Sequence, residues 1–213
     1  MQQLPLAISQ PAEPSFSNYV AGANTEALES VRALAACTSK EPILYLWGGP
    51  GSGRTHLLRA AEKENPDLVI ADDVQALDEE AQQALFVAIN RARDGSVRVL
   101  AAGDAPPARL ALRDDLRSRL GWGLVYQLKP LSDADKTRHL RAEAGRRGLD
   151  LPDEVAAFIL TRMPRDLTSL NDLLDRLDRQ SLARKRALTV PLVRETLAEM
   201  ASRAELPRQG GPA

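Results

Sequence analysis

Ile43-Leu44-Tyr45-Leu46-Trp47-Gly48-Gly49-Pro50-Gly51-Ser52-Gly53-Arg54-Thr55-His56-Leu57-Leu58 joins an apolar run, a glycine-rich octapeptide and the start of a helical pattern. Glycines at 48, 49, 51 and 53, with Pro50 and Ser52 between them, let the backbone curl so that successive N–H groups point inward at a di- or triphosphate on the N-terminus of the next helix. Thr55 would offer its hydroxyl to magnesium. Loops of this kind carry lysine at the position of Arg54, a mobile point charge that reaches the outer phosphates. Arginine keeps the charge but is bulkier and planar, so the expectation is nucleotide binding with weak or no intrinsic hydrolysis. The bland alternative is a glycine turn between a strand and a helix; the order strand, loop, helix argues for the phosphate loop.

With 213 residues, 44% hydrophobic and 27% charged, the chain can bury a core and suits one domain plus a small one. A net charge of -1 argues against a surface that coats DNA, so a nucleic-acid role would be local or pass through a partner. The one cysteine, Cys37, has no disulfide or metal-ligand companion and reads as a small buried apolar side chain. No apolar stretch approaches the about 18 residues of a membrane span, and the N-terminus lacks the basic-then-apolar pattern of a secretion signal. These features predict a cytoplasmic protein with no membrane role.

Residues 1–13 read as a flexible tail and 206–213 as a disordered one. Between them, residues 14–130 read as a nucleotide-binding domain and 131–205 as a helical one. Asn24 to Ala36 predicts a helix with Leu28, Val31 and Leu34 on one face and Asn24 or Thr25 as its cap. Short apolar runs at Ile43–Trp47, Leu68–Ala71, Val97–Ala102 and Leu124–Gln127 predict buried strands, with a helix over Asp78–Arg93. The pattern is that of a parallel α/β sheet with its ligand at the carboxyl ends of the strands. From Asp133 onward four helices are predicted, over Asp133–Arg147, Asp153–Met163, Asp166–Leu182 and Pro191–Arg203. Leu167, Leu170, Leu174 and Leu177 recur at helical spacing and predict that bundle's core.

The second run leads into Asp72-Asp73, which places two carboxylates where a parallel sheet meets its loops. Asp72 would hold magnesium through water, and Asp73 would orient or polarise an attacking water. Alone, such a pair is as readily a helix cap; behind the loop at 48–55 it reads as a phosphoryl-transfer acid pair. Gly103-Asp104-Ala105-Pro106-Pro107 ends the third run, where Asp104 would sense a terminal phosphate or form a simple turn. Arg113, Arg117 and Arg119 cluster before Leu120-Gly121-Trp122-Gly123, on composition a solvated basic face, with Trp122 a packed aromatic between turn-forming glycines. His56 and His139 have no catalytic partners in sequence, although His56 adjoins the loop.

With these blocks in order, the chain resembles the initiator-type AAA+ ATPases, the family of DnaA and its shorter relative Hda, over about residues 14–200. Phe16-Ser17-Asn18-Tyr19-Val20-Ala21-Gly22-Ala23-Asn24 is similar to the segment that begins the family's nucleotide domain, which implies that Tyr19 and Val20 lie near adenine. Asp72-Asp73-Val74-Gln75 resembles its Walker B motif, and the Asp104 block its first sensor. Ser118-Arg119-Leu120-Gly121-Trp122-Gly123-Leu124 resembles the box that carries the arginine finger. The resemblance implies an AAA+ P-loop domain followed by a helical lid, with ADP or ATP, and magnesium, as ligands. The 213 residues end after the helical pattern without a DNA-reading helix-turn-helix, and Gln3-Leu4-Pro5-Leu6-Ala7-Ile8 looks like the peptide by which Hda docks on the sliding clamp. An extended, proline-limited peptide would insert Leu4 and Leu6 into an apolar groove while the Gln3 amide sets register.

The resemblance thus implies an ADP-bound partner of DnaA and of the sliding clamp, the beta subunit of DNA polymerase III, that meets DNA mainly through the clamp. Its Arg119 would act in trans on DnaA-bound ATP and so prevent re-initiation. Two departures accompany it. His56 to Asp67 is too short a span for the strand and helix that the family carries there, which predicts four parallel strands instead of five, with an exposed edge. Thr168 stands where the lid's second-sensor arginine is expected, and Arg165, on nearly the same helical face, would substitute. The alternatives are a small AAA+ ATPase of helicase-loader type that remodels a DNA-bound partner, and a P-loop scaffold without nucleotide.

Overall fold

The first strand, β1 (Ile43–Trp47), runs through the interior of a four-stranded sheet, and its alternating side chains build two cores at once. Leu44 and Leu46 face α1 (Thr25–Ala35) and α2 (Arg54–Glu64), while Ile43 and Tyr45 face α3 (Glu79–Arg93) and α4 (Asp114–Leu120). Buried on both faces, the strand is continuously apolar, as a parallel sheet requires. β2 (Val69–Ala71), β3 (Val99–Gly103) and β4 (Leu124–Gln127) complete the sheet in the order β2-β3-β1-β4, every pairing parallel. Ile43 pairs with Val99 and Leu44 with Leu124, so β1 is hydrogen-bonded along both edges.

The computed structural model describes residues 13–163, 167–184 and 188–204, and these form two units, 13–132 and 133–204. Gln3, Leu4, Pro5, Leu6, Arg165 and the side chain of Thr168 lie outside the described residues. The second unit is a helical bundle of α5 (Asp133–Arg146), α6 (Asp153–Arg162), α7 (Leu167–Arg184) and α8 (Val190–Ala204). Leu170, Leu174 and Leu177 are fully buried in its core with Leu140, Val155 and Ile159, and Leu167 packs against it, as their spacing predicts. Arg147 ties the bundle by bonding Glu143 on α5 at 2.7 Å and Asp175 on α7 at 2.6 Å. Among the described residues no helix is long and apolar enough to cross a membrane.

The sheet has four strands, as the short span after His56 predicts, and the three-residue β2 is left at one edge with its side chains half-buried. Three local expectations need correction. The third strand starts at Val99 rather than Val97; the Arg98 carbonyl still accepts the Val69 N–H (2.9 Å), while its side chain ties the segment before β1, donating to the carbonyls of Ser39 (3.0 Å) and Cys37 (3.2 Å). Cys37 is exposed rather than buried: it occupies the left-handed turn that ends α1, at φ 58, where the N–H groups of Cys37 and Thr38 close back on the carbonyls of Leu34 and Ala33.

Asn24 precedes α1 but its side chain does not cap the helix. It reaches instead to the chain leaving β4, donating to the Lys129 carbonyl and accepting from the Lys129 N–H, both at 2.8 Å. This two-way bond from the buried Asn24 amide fastens the start of α1 to the edge of the sheet. Asn24→Ala removes two hydrogen bonds of about 0.5–1.5 kcal/mol each and is expected to lower stability by about 1–3 kcal/mol, read from the midpoint of urea unfolding at unchanged slope.

Candidate functional site

From β1 the chain crosses to β2 and β3 on one side and returns to β4 on the other, so the carboxyl end of β1 is the topological switch point where open α/β sheets bind ligands. The glycine loop starts there. Gly48 N–H donates to the Gly103 carbonyl (3.3 Å), and Leu128 N–H donates to the Trp47 carbonyl (2.7 Å), which anchors the loop's first residues to the strand ends on both sides. Neither Gly48 nor Gly53 could carry a side chain. A Cβ at Gly48 would lie 2.6 Å from the Leu128 carbonyl, and Gly53, at φ 93 immediately before α2, would press a Cβ to 2.8 Å from the Tyr19 ring.

Three buried polar atoms at this loop have no hydrogen-bond partner: Ser52 Oγ, Arg54 Nη1 and Tyr19 OH. An unpaired buried polar group costs about 1–3 kcal/mol, so such a cluster calls for a polar ligand. Donors of this kind over a glycine backbone at a helix N-terminus fit a phosphate group. Burial pushes the Tyr19 hydroxyl up to about 12, against a weaker pull from the Asn24 amide, whose own donor and acceptor are committed to Lys129. Tyr19 is therefore a neutral donor. His56 lies against it with ring centroids 5.3 Å apart, and its Nε2 is 3.0 Å from the Ser15 carbonyl. A carbonyl only accepts, so Nε2 carries the proton. Val20 is half-buried in the same segment.

The acid pair sits where its position after β2 predicts. Thr55 Oγ1 donates to Asp72 Oδ2 at 2.6 Å, bringing together the hydroxyl and carboxylate that would hold magnesium. Among the described residues no cluster of three or more His, Cys, Asp or Glu side chains could hold a metal ion unaided, so an ion here would complete its shell with water or ligand oxygens. Asp73 is in the left-handed region, at φ 45 and ψ 50. Its Oδ1 takes Arg54 Nη2 at 3.3 Å and Gln75 Nε2 at 3.1 Å, while the Gln75 carbonyl accepts the Asp104 N–H at 3.2 Å. The Asp104 side chain is exposed; its backbone is what joins the cluster.

Arg119 lies apart from this cluster, at the last turn of α4. Its guanidinium is sandwiched between the rings of Phe86 (4.1 Å) and Trp122 (4.9 Å), with Nε donating to Asn90 Oδ1 (2.9 Å) and Nη1 to the Asp115 carbonyl (3.2 Å). The basic cluster is thereby divided. Arg113 pairs with Asp115 at 2.7 Å and Arg117 with Asp114 at 2.5 Å, but Arg119 forms no ion pair among the described residues. Trp122 is 40% exposed, held between Arg119 and Arg93 (4.5 Å), so it is a stacked surface aromatic and not a core one. Sequence reasoning assigned no role to Gln75, Phe86 or Asn90. The i, i+4 spacing of Phe86 and Asn90 puts them on one face of α3, but nothing in the chain links that face to residue 119.

The sheet, the loop and the four-helix unit define a P-loop protein of the AAA+ class with a helical lid. The family model described as Hda, lid domain, matches residues 133–197, and that of the bacterial DnaA ATPase domain matches residues 61–127. An uncharacterised protein of Haemophilus influenzae is 35% identical over 92% of this chain and 98% of its own length. Domain III of the replication initiation protein DnaA from Thermotoga maritima superposes with a TM-score of 0.73 at 21% identity, covering 89% of this chain and 97% of that one. AMPPCP-bound DnaA from Aquifex aeolicus gives a TM-score of 0.68 at 20% identity, over 94% of this chain and 75% of that one. The chain belongs to the Hda/DnaA-like AAA+ proteins, a family of DnaA-related replication regulators.

Burial holds His56 below its ordinary value of 6.5, against the opposing hydrogen bond to Ser15. The native state therefore takes up a proton less readily than the unfolded chain, and stability falls as pH drops below about 6.5 toward the depressed native value. His56→Gln removes this contribution. The expected result is a shallower loss of unfolding free energy between neutral and mildly acidic pH than in the parent protein, measured by urea titration at each pH.

Proposed function

We propose that this protein is a regulatory adaptor of chromosomal replication initiation that holds ADP at the glycine loop and, with the sliding clamp, stimulates hydrolysis of ATP bound to DnaA. The observation that carries this reading is the occurrence, in one chain, of an Hda-type lid and an arginine in place of the loop lysine that is paired to Asp73. Arg54, with its side chain only 13% exposed, is held by the carboxylate that would otherwise polarise water, an arrangement suited to retaining a nucleotide rather than turning it over. ADP or ATP would lie along residues 48–55 with Tyr19, Val20 and His56 beside it, Asp104 near its terminal phosphate and Thr55 and Asp72 toward magnesium. Arg165 would meet it from the lid.

Arg119 supplies the function's other half. Two of its nitrogens are fixed by neutral acceptors and its faces by aromatic rings, so its charge is oriented without a direct carboxylate pair, the nearby Asp115 carboxylate being held by Arg113. A guanidinium held in this way suits a charge-stabilising role at a partner's phosphoryl-transfer site. DnaA would be that partner, the beta clamp of DNA polymerase III would be bound by Gln3, Leu4, Pro5 and Leu6, and DNA would be approached through the clamp, in the cytoplasm. A domain at 14–130 and a lid at 131–205 would be flanked by the tails.

Hydrolysis of ATP preloaded on DnaA, with clamp loaded on DNA, tests the reading. The protein is expected to accelerate it, and Arg119→Ala to lose most of an effect that for arginine fingers is about 10³–10⁵ in rate. No acceleration by active components, together with brisk ATP turnover by the isolated chain that Asp73→Asn abolishes, would favour the helicase-loader-like ATPase instead. In a clamp pull-down, Leu4→Ala combined with Leu6→Ala is expected to lose retention with an unchanged melting temperature; retention equal to the parent's removes the docking role.

A further inference from the structure

A continuous polar path crosses the carboxyl ends of the strands. Arg54 Nη2 donates to Asp73 Oδ1 (3.3 Å), Gln75 Nε2 donates to the same oxygen (3.1 Å), and the Asp104 N–H donates to Gln75 Oε1 (3.2 Å). The middle member must donate at one end, to a carboxylate that only accepts, and accept at the other, from a backbone N–H that only donates. A side-chain amide does both. The site also confines it: a Cβ on Gly103 would lie 3.2 Å from Gln75 Oε1, so the amide packs against the end of β3. Asp73 holds its left-handed conformation where its surroundings determine it. Beyond Asp104 the chain is tied to β1 by Tyr45 OH, which donates to the Ala105 carbonyl at 2.8 Å, and then continues into α4, which carries Arg119.

We propose that Gln75 is a positioning residue that links phosphate at Arg54 to the setting of the Arg119 face. The link rests on the nucleotide reading above and adds to it the route by which occupancy of the loop reaches the partner-facing arginine. A phosphate that takes up the buried, unpartnered Nη1 of Arg54 draws the guanidinium toward the loop and so weakens the long Nη2 bond to Asp73 Oδ1, one of that oxygen's two donors. The carboxylate then rests more on Gln75. Because the other end of the Gln75 amide holds the Asp104 N–H, the segment that leads into α4 moves with it.

Trp122 stacks on Arg119 and is one of two tryptophans in the chain, so with Trp47→Phe its fluorescence reports on that face directly. ADP is titrated into this protein, with binding measured separately by calorimetry. A saturating change in Trp122 emission is expected, and Gln75→Leu should abolish it while the calorimetric Kd for ADP stays of the same order. Gln75→Glu, which accepts but cannot donate and sets a second carboxylate beside Asp73, should abolish it too. Asp73→Asn added to Gln75→Glu restores a donor opposite an acceptor and should bring the response back, which a residue that merely packs would not do. ADP binding with Trp122 silent, an equal response in Gln75→Leu, or no recovery in the double variant overturns the link. Absence of calorimetric ADP binding overturns the nucleotide reading itself, and the link with it.

Discussion

Everything in the first unit hangs on the pinning of β1. Its middle residues, Leu44, Tyr45 and Leu46, are essentially inaccessible, and it is paired on both edges and packed on both faces. A glycine-rich loop has little to hold it: glycine loses more backbone freedom on folding than any other residue, and the loop has few side chains to pack. Its conformation therefore has to be imposed from its ends. The bonds from Gly48 to Gly103 and from Leu128 to Trp47 do this on one side, and Tyr19 lying over Gly53 does it on the other.

The polar cluster above β1 contributes geometry more than stability. Arg54 and Asp73 are 13% and 56% exposed, and an ion pair with one member so open to water contributes little net stability. Its role is to direct a buried guanidinium whose other terminal nitrogen is left without a partner. The contrast with Arg119 is instructive. There the two acceptors are uncharged and the faces are aromatic, so the guanidinium is positioned without a direct ion pair. One arginine is tied to a carboxylate, and the other is held by uncharged acceptors and aromatic rings.

With α2 leading directly into it, β2, the strand that delivers Asp72 and Asp73, forms an edge of the sheet. Its three residues are short for a strand, and a short edge offers little ladder to a foreign chain. The acid pair thus sits at the least supported end of the sheet. It is steadied by side-chain bonds to Thr55, Arg54 and Gln75, from the neighbouring helix and turn.

Short-range patterns made much of this protein legible. The alternation of apolar runs with helical periods gave the four strands and the order of the helices, the leucines of α7 gave the core of the second unit, and the glycine spacing after Ile43–Trp47 located the loop. These features are encoded within a few residues of one another, by turn sterics and by the repeats of strand and helix. Tertiary structure alone decided what depends on residues far apart in the chain. Asn24, read as a cap, binds Lys129; Cys37, read as buried, lies in an exposed left-handed turn; Arg119, one of three alike, is singled out by Phe86, Asn90 and Trp122. A hydrogen bond or ring contact across the fold leaves no periodic trace in either partner, so only the folded chain shows which of the three arginines is held between aromatic rings and neutral acceptors.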